Sequence, residues 1–309
     1  MTSAAQLLLS IFVADLFPVF AIAAAGFLLA RFLGVQVQTV SRMTFYALAP
    51  ALVFTMLVTS NVEASQVGRM VLFYILVAVT AGVMARLVAI PLKLDRPSLS
   101  AFLLVVVCSN SGNYGLPVAL LAFGPQALAF ASVYFLASSL FSYTGGILLA
   151  ASGRRSFHDA LFGVVRVPAV YGAALAALSM GFGWSLPAAL MRPITMMSDA
   201  ALPVMILVLG MQLERATWPE RPAMVGAAVV LSIILTPLAA IGIADLVGLR
   251  GAAFQAGVLQ ASMPTAVITT ILALEFDVAP NFVTSVVCLS TLLSPVTVTL
   301  LIAYLQQHG

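Results

Sequence analysis

Charge is what this sequence has least of. Asp, Glu, Lys and Arg make up 7% of 309 residues, against 62% hydrophobic residues and a mean hydropathy of +1.15. A soluble globular chain carries roughly 25% charged residues, so this one cannot cover its surface with polar groups. An ordinary cytosolic enzyme, a nucleic-acid binder and a disordered chain are excluded. The net charge of +3, from 13 basic and 10 acidic residues, is too small for a nucleic-acid footprint. Cysteine is equally scarce. Cys108 and Cys288 both lie in apolar stretches, which argues against a disulfide framework. The two histidines, His158 and His308, fall in a basic loop and at the tail, and no His, Cys or carboxylate cluster has metal-ligand spacing. A phosphate loop is missing, and no Ser-His-Asp set can be assembled within the apolar stretches. No enzyme activity and no cofactor are therefore expected. The opening residues lack a basic n-region, so no signal peptide is expected.

What remains is a polytopic membrane protein. A spanning helix needs about 20 mostly apolar residues, and ten such stretches can be read: 8–32, 38–59, 68–92, 98–123, 126–151, 160–182, 189–212, 222–247, 251–275 and 281–306. They are continuous apolar runs without period-2 alternation, which excludes a membrane β-barrel. Arginine and lysine give the orientation. Loops after odd-numbered spans hold nine, namely Arg31, Arg42, Arg86, Lys93, Arg96, Arg154, Arg155, Arg215 and Arg221; the other side holds three, Arg69, Arg192 and Arg250. The odd loops are assigned to the cytoplasm, and both termini to the outer side of the inner (plasma) membrane.

Prolines pair along the chain. Pro18 and Pro168, Pro50 and Pro203, and Pro117 and Pro264 lie 150, 153 and 147 residues apart. This predicts two repeats of five helices, residues 1–151 and 160–309, with 152–159 as a short cytoplasmic linker. Five is odd, so the second repeat is inverted. Inverted repeats with broken helices in corresponding positions mark many secondary transporters.

The most polar stretch inside any span runs from Cys108 through Ser109, Asn110, Ser111, Gly112, Asn113, Tyr114, Gly115 and Leu116 to Pro117 in span four. Glycine and proline weaken the helix there. Exposed backbone in hydrocarbon is costly, so the break is expected to line a polar cavity. Span nine answers with Gln260, Ala261, Ser262, Met263, Pro264 and Thr265. Two such breaks in inverted repeats should cross near the midplane and aim helix N-termini at the crossing. That makes an anion site without a buried Lys or Arg. Asn110 and Asn113 are the leading ligands, because buried amides are costly when idle. Ser262 and Thr265 read equally well as ligands or as hydroxyls bonded to their own helix backbone. Asp199, four residues before Pro203, is a coupling candidate or a carboxylate satisfied by Ser198 or a neighbouring helix. Asp15 reads as interfacial, and Glu275, Phe276 and Asp277, with Pro280, as a solvated outward turn.

Asn110 with Gly115-Leu116-Pro117 resembles the helix-four crossover of the auxin efflux carrier family. Residues Ala49 to Phe54 are similar to that family's second helix, and Ala273 to Thr297 to its last hairpin. The resemblance runs over nearly the whole chain. It implies ten helices in two inverted repeats, with crossed helices 4 and 9 as in bile-acid symporters and NhaA. Helices 1, 2, 6 and 7 would be the scaffold, and helices 3–5 and 8–10 the transport domain. It also implies a homodimer. The substrate would be a small organic anion, such as malonate, another carboxylate or an auxin-like acid, held at the crossover by residues including Asn110, Ser111, Gly112, Asn113, Gly115, Pro117, Ser262, Met263, Pro264 and Thr265. Tyr134 falls where plant members place a helix-five tyrosine near the ligand. The short linker suggests a bacterial-type permease. Proton coupling, sodium coupling and passive transport stay open, as do the rival classes of channel and membrane-embedded enzyme.

Overall fold

Prolines and glycines place the helix boundaries. Pro97, Pro168 and Pro222 stand in the first turn of their helices, where the missing N–H would be unpaired anyway. Gly34 and Gly248 end theirs in the left-handed conformation, at φ 62° and 74°, which glycine adopts without steric cost. The computed structural model describes residues 4–60, 62–150, 167–184, 186–214 and 221–308. The expected linker 152–159, the start of span six and His158 lie outside them.

The described residues form α1 (Ala5–Leu33), α2 (Val37–Thr59), α3 (Ala64–Ala89), α4 (Arg96–Val107), α5 (Ser111–Ala150), α6 (Pro168–Gly181), α7 (Ala188–Leu213), α8 (Pro222–Val247), α9 (Gly251–Ala261), α10 (Ile268–Phe276) and α11 (Pro280–His308). Among them no strand occurs beyond one isolated bridge. Seven helices are long and apolar enough to cross a membrane, namely α1, α2, α3, α5, α7, α8 and α11. The difference from ten continuous spans has local causes. Span four is divided into α4 and the first part of α5, and span nine into α9 and α10. Spans four and five run together in α5, parted only at Gly124 (φ 80°, ψ −173°) before Pro125.

Among the described residues four π-turns widen the helices, at Phe12–Leu16, Thr44–Leu48, Ser111–Gly115 and Leu231–Leu235. Each lies just upstream of a proline, Pro18, Pro50, Pro117 or Pro237. In each, the residue before the proline donates its N–H to the carbonyl five residues back, as Phe17 does to Phe12 and Leu116 to Ser111. Proline offers no N–H to the usual acceptor and its ring crowds the preceding turn; the wider turn accommodates it.

Two groups of helices pack among themselves. α1 lies along α7, and α2 along α6 and α7; α3 packs with α4, α5, α8 and α9, and α9 with α5 and α8. Glycine makes the first group tight. A Cβ at Gly210 or Gly26 of the α1–α7 pair, or at Gly172 of the α2–α6 pair, would fall inside a facing backbone carbonyl, that of Ala23, Leu207 or Pro50. Close approach through small residues is how helices associate without a hydrophobic driving force between them.

One end of the bundle gathers Arg31 with Glu214 (3.3 Å) and Arg221 with Ser98 (3.0 Å). The Ser98 hydroxyl, helped by the Arg221 guanidinium, holds the Asp95 carboxyl below the usual carboxylate range. Arg221 also lines a cavity of about 170 Å³ with Ala279, Pro280, Asn281 and Phe282. The turn at Glu275–Pro280, expected from the sequence to be solvated and outward, belongs to this same end. It stands beside Arg221, at the end with the basic loops, because α11 starts where α4 and α8 start.

Candidate functional site

Both breaks occur where the sequence is poorest in helix formers, and the freed backbone groups pair with each other. Ser109 and Thr265 form an antiparallel bridge. Asn110 N–H donates to the Pro264 carbonyl at 2.7 Å, and Ala266 N–H to the Cys108 carbonyl at 2.8 Å. The Thr265 hydroxyl donates to the Val105 carbonyl at the end of α4 (2.8 Å), and Thr265 N–H to Ser290 Oγ of α11 (3.2 Å). Unwound backbone is thus satisfied by protein, in part by the polar side chains of Thr265 and Ser290, and the polar cavity at the break is small. The cavity at the crossover is about 10 Å³, bordered by Tyr74, Ser109, Tyr134, Ser232, Thr236 and Met263 among others. That is room for about one water.

The bridge gathers the residues singled out in the two spans. Asn110, Ser111, Gly115, Pro117, Ser262, Met263, Pro264 and Thr265 are buried, and Gly112 and Asn113 half-buried. Ser111 Oγ lies 2.6 Å from Ser138 Oγ. Ser262 donates to the Val258 carbonyl four residues back, at 2.6 Å, the helix-bonded alternative. Gly112 faces the Phe135 ring, which a Cβ would meet at 2.8 Å. Tyr134 is buried beside the bridge, hydrogen-bonded to Ser109 and edge-on to Tyr74 at 5.1 Å. α5 starts at Ser111 and α10 at Ile268, so two helices begin directly after the bridge.

Asp199 is not brought to this place. It sits on an exposed face of α7. Its neighbour Ser198 is buried with its Oγ unpartnered, so the satisfied pair read from the sequence does not form. Asp15 is buried among the helices, at 9% exposure inside the first π-turn. Gln260, which opens the span-nine break but has no ligand role in the sequence reading, joins the site. It is fully buried, its Nε2 donates to the Ala131 carbonyl at 3.3 Å, and its Oε1 lies against Gly115. A single amide in an apolar run carries no periodic signal; only its place four residues before Pro264 pointed to it. Buried polar atoms without a partner include Asn110 Nδ2 and Gln260 Oε1, one from each side of the bridge.

The chain matches the family described as "Membrane transport protein" over residues 11–160 and 156–302. An "Uncharacterized transporter" of Methanothermobacter thermautotrophicus is 29% identical over 272 residues, covering 85% of this chain and 87% of the relative. A "Putative malonate transporter" of Rhizobium meliloti is 27% identical over 315 residues, covering 94% and 95%. A rice protein, "Probable auxin efflux carrier component 1b", is 26% identical over 141 residues, covering 43% of this chain and 26% of the relative. Broken helices joined at a bridge within a bundle of apolar helices, together with these similarities, make this an integral membrane protein, and the chain belongs to the membrane transport protein family that includes the auxin efflux carriers.

Proposed function

We propose that this protein is a secondary transporter of a small organic anion, working by alternating access, with the carboxylate held at the bridge between Ser109 and Thr265. The observation that carries this reading is Asn110. Its side chain is 5% exposed, its Nδ2 has no partner, and it stands beside two helix starts. Helix N-termini carry partial positive charge and free N–H donors. An unpaired buried donor is costly, and a substrate carboxylate removes that cost when it binds. The name of the Rhizobium relative gives malonate as the first substrate to test.

The ten stretches then act as two inverted repeats of five helices. α1, α2, α6 and α7 form the scaffold, and α3–α5 with α8–α11 the moving unit. Both termini face outward across the plasma membrane. The chain assembles as a homodimer, which covers the exposed carboxylate of Asp199. The tiny cavity makes this conformation a closed one, which must open by sliding one helix group past the other.

The test is malonate binding to the purified protein, with and without sodium, in the wild type and in Asn110→Ala. Binding in the wild type and its loss in the variant is the expected result. Equal binding by both would move the site elsewhere.

A further inference from the structure

Gln260 adds an acceptor to a site so far described only by donors. Its Nε2 is committed to the Ala131 carbonyl, which fixes the amide so that Oε1 is the free end. That oxygen is fully buried and unpartnered, packed against Gly115. Gly115 in turn donates its N–H to the Asn110 carbonyl at 3.0 Å. The two orphan atoms therefore belong to side chains at the same π-turn, Asn110 at its start and Gln260 packed against Gly115 at its end. The crossover cavity does not solvate either amide, since neither borders it. A carboxylate ion can satisfy Asn110 but offers nothing to Gln260. A protonated carboxyl satisfies both, with its carbonyl accepting from Nδ2 and its O–H donating to Oε1.

Charge balance points the same way. The helices packed against α9 are α3, α5, α8 and α11. Their fully charged groups, Arg69 and Arg86 on α3 and Asp245 on α8, are exposed, as is His308 on α11. What these helices and the break hold buried is neutral, the phenols of Tyr74, Tyr114 and Tyr134 and the thiols of Cys108 and Cys288; the one buried carboxyl among the described residues, Asp15, lies in the α1 π-turn that packs against α5 and α11 and adds no positive charge. The positive charge available comes from two helix starts, about half a unit each. That matches a monoanion and leaves a dianion with one charge buried and unbalanced, which is expensive.

Resting on the transporter reading above, we infer that Gln260 is a specificity-determining residue that accepts a substrate O–H, so that the site takes a dicarboxylic acid in its half-protonated, singly charged form. The proton crosses on the substrate, and no side chain of the protein has to carry it.

The experiment measures binding of malonate and of monomethyl malonate to the full-length protein, at about pH 5 and about pH 7.5, on either side of the second malonate ionisation. At the lower pH both probes are monoanions, and only malonate keeps an O–H. The wild type is expected to prefer malonate by about tenfold or more, as sites built around a hydrogen bond do, and to lose malonate affinity at the higher pH. Gln260→Met, similar in length and without the acceptor, is expected to bind the two probes alike; should it not fold, the wild-type comparison alone decides. Malonate binding that is equal at both pH values, or a preference that survives Gln260→Met, overturns the inference and leaves the transporter reading standing. Binding of neither probe at either pH overturns both.

Discussion

The Asn110 N–H and the Pro264 carbonyl, 2.7 Å apart, tie the two broken helices together. The pair joins residues 154 positions apart (264 less 110). It lets an interrupted helix sit at membrane depth with its polar backbone paired inside the protein.

Thr265 is the structural anchor of that arrangement. Its hydroxyl closes the end of α4 on the Val105 carbonyl. Thr265→Val keeps the shape and removes this bond, and is expected to cost about 1 kcal/mol or somewhat more. Ser262→Ala removes only a bond within one helix turn and is expected to cost less. Thermal unfolding of the two variants in detergent checks the order; a Ser262→Ala loss larger than that of Thr265→Val contradicts it.

The α1–α7 seam has no room for a methyl group. A Cβ at Gly210 meets the Ala23 carbonyl, and one at Gly26 meets that of Leu207. Backbone cannot rotate away as a side chain can, so each alanine forces the helices apart. Gly210→Ala is expected to lower stability by about 1–3 kcal/mol, the usual penalty of overpacking. Gly226→Ala, where a Cβ meets nothing within 4 Å, is the control and should be neutral or slightly stabilising.

Asp95 gives a pH dependence with a definite sign. Its carboxyl is held low by Ser98 and Arg221. A depressed carboxylate stabilises the fold above its ordinary value and loses that contribution as pH falls through the folded value. The wild type should therefore exceed Asp95→Asn in melting temperature near neutrality, with the difference closing below about pH 4. The gap should be small, because the group is exposed. A gap that widens on acidification would reverse the sign.

Much of this was legible in the residues, and the remainder was hidden for identifiable reasons. The polar run from Ser109 to Pro117 and the Pro264 break stand out because polar and helix-breaking residues are conspicuous in apolar sequence. Their hydrogen bonds to each other were not legible, since nothing in composition says which carbonyl a freed N–H will find. The same gap explains why the small size of the cavity at the break could not be foreseen. The burial of Asp15 was not legible either, since a π-turn ahead of Pro18 leaves no mark in the sequence beyond the proline itself. Asp199 reads as a site residue from its depth in the membrane, but depth does not fix the face of the helix.

Asp199 lies near the middle of α7 and on its exposed face. A carboxylate at mid-membrane depth costs about 2.5–3.5 kcal/mol when left to lipid, so a second copy covering this face relieves a real penalty. Asp199→Cys is expected to cross-link between copies in native membranes with a short thiol reagent, since Cys108 and Cys288 are buried. Absence of a cross-linked species under conditions that modify the introduced thiol would leave this face to lipid.

The sharpest expectation concerns Asn110 itself. Most polar-to-apolar changes in a packed interior lower stability because they break a bond. Asn110 Nδ2 has no bond to break, and only the backbone N–H of this residue supports the bridge. Asn110→Leu, close in size, deletes an idle buried donor whose desolvation costs about 1–3 kcal/mol. The variant should melt at or above the wild-type temperature while malonate uptake into proteoliposomes is lost. Residues kept for function against stability behave in this way. A variant that loses stability and uptake together would instead make Asn110 a structural residue, and the carboxylate would have to be sought among the other groups at the bridge.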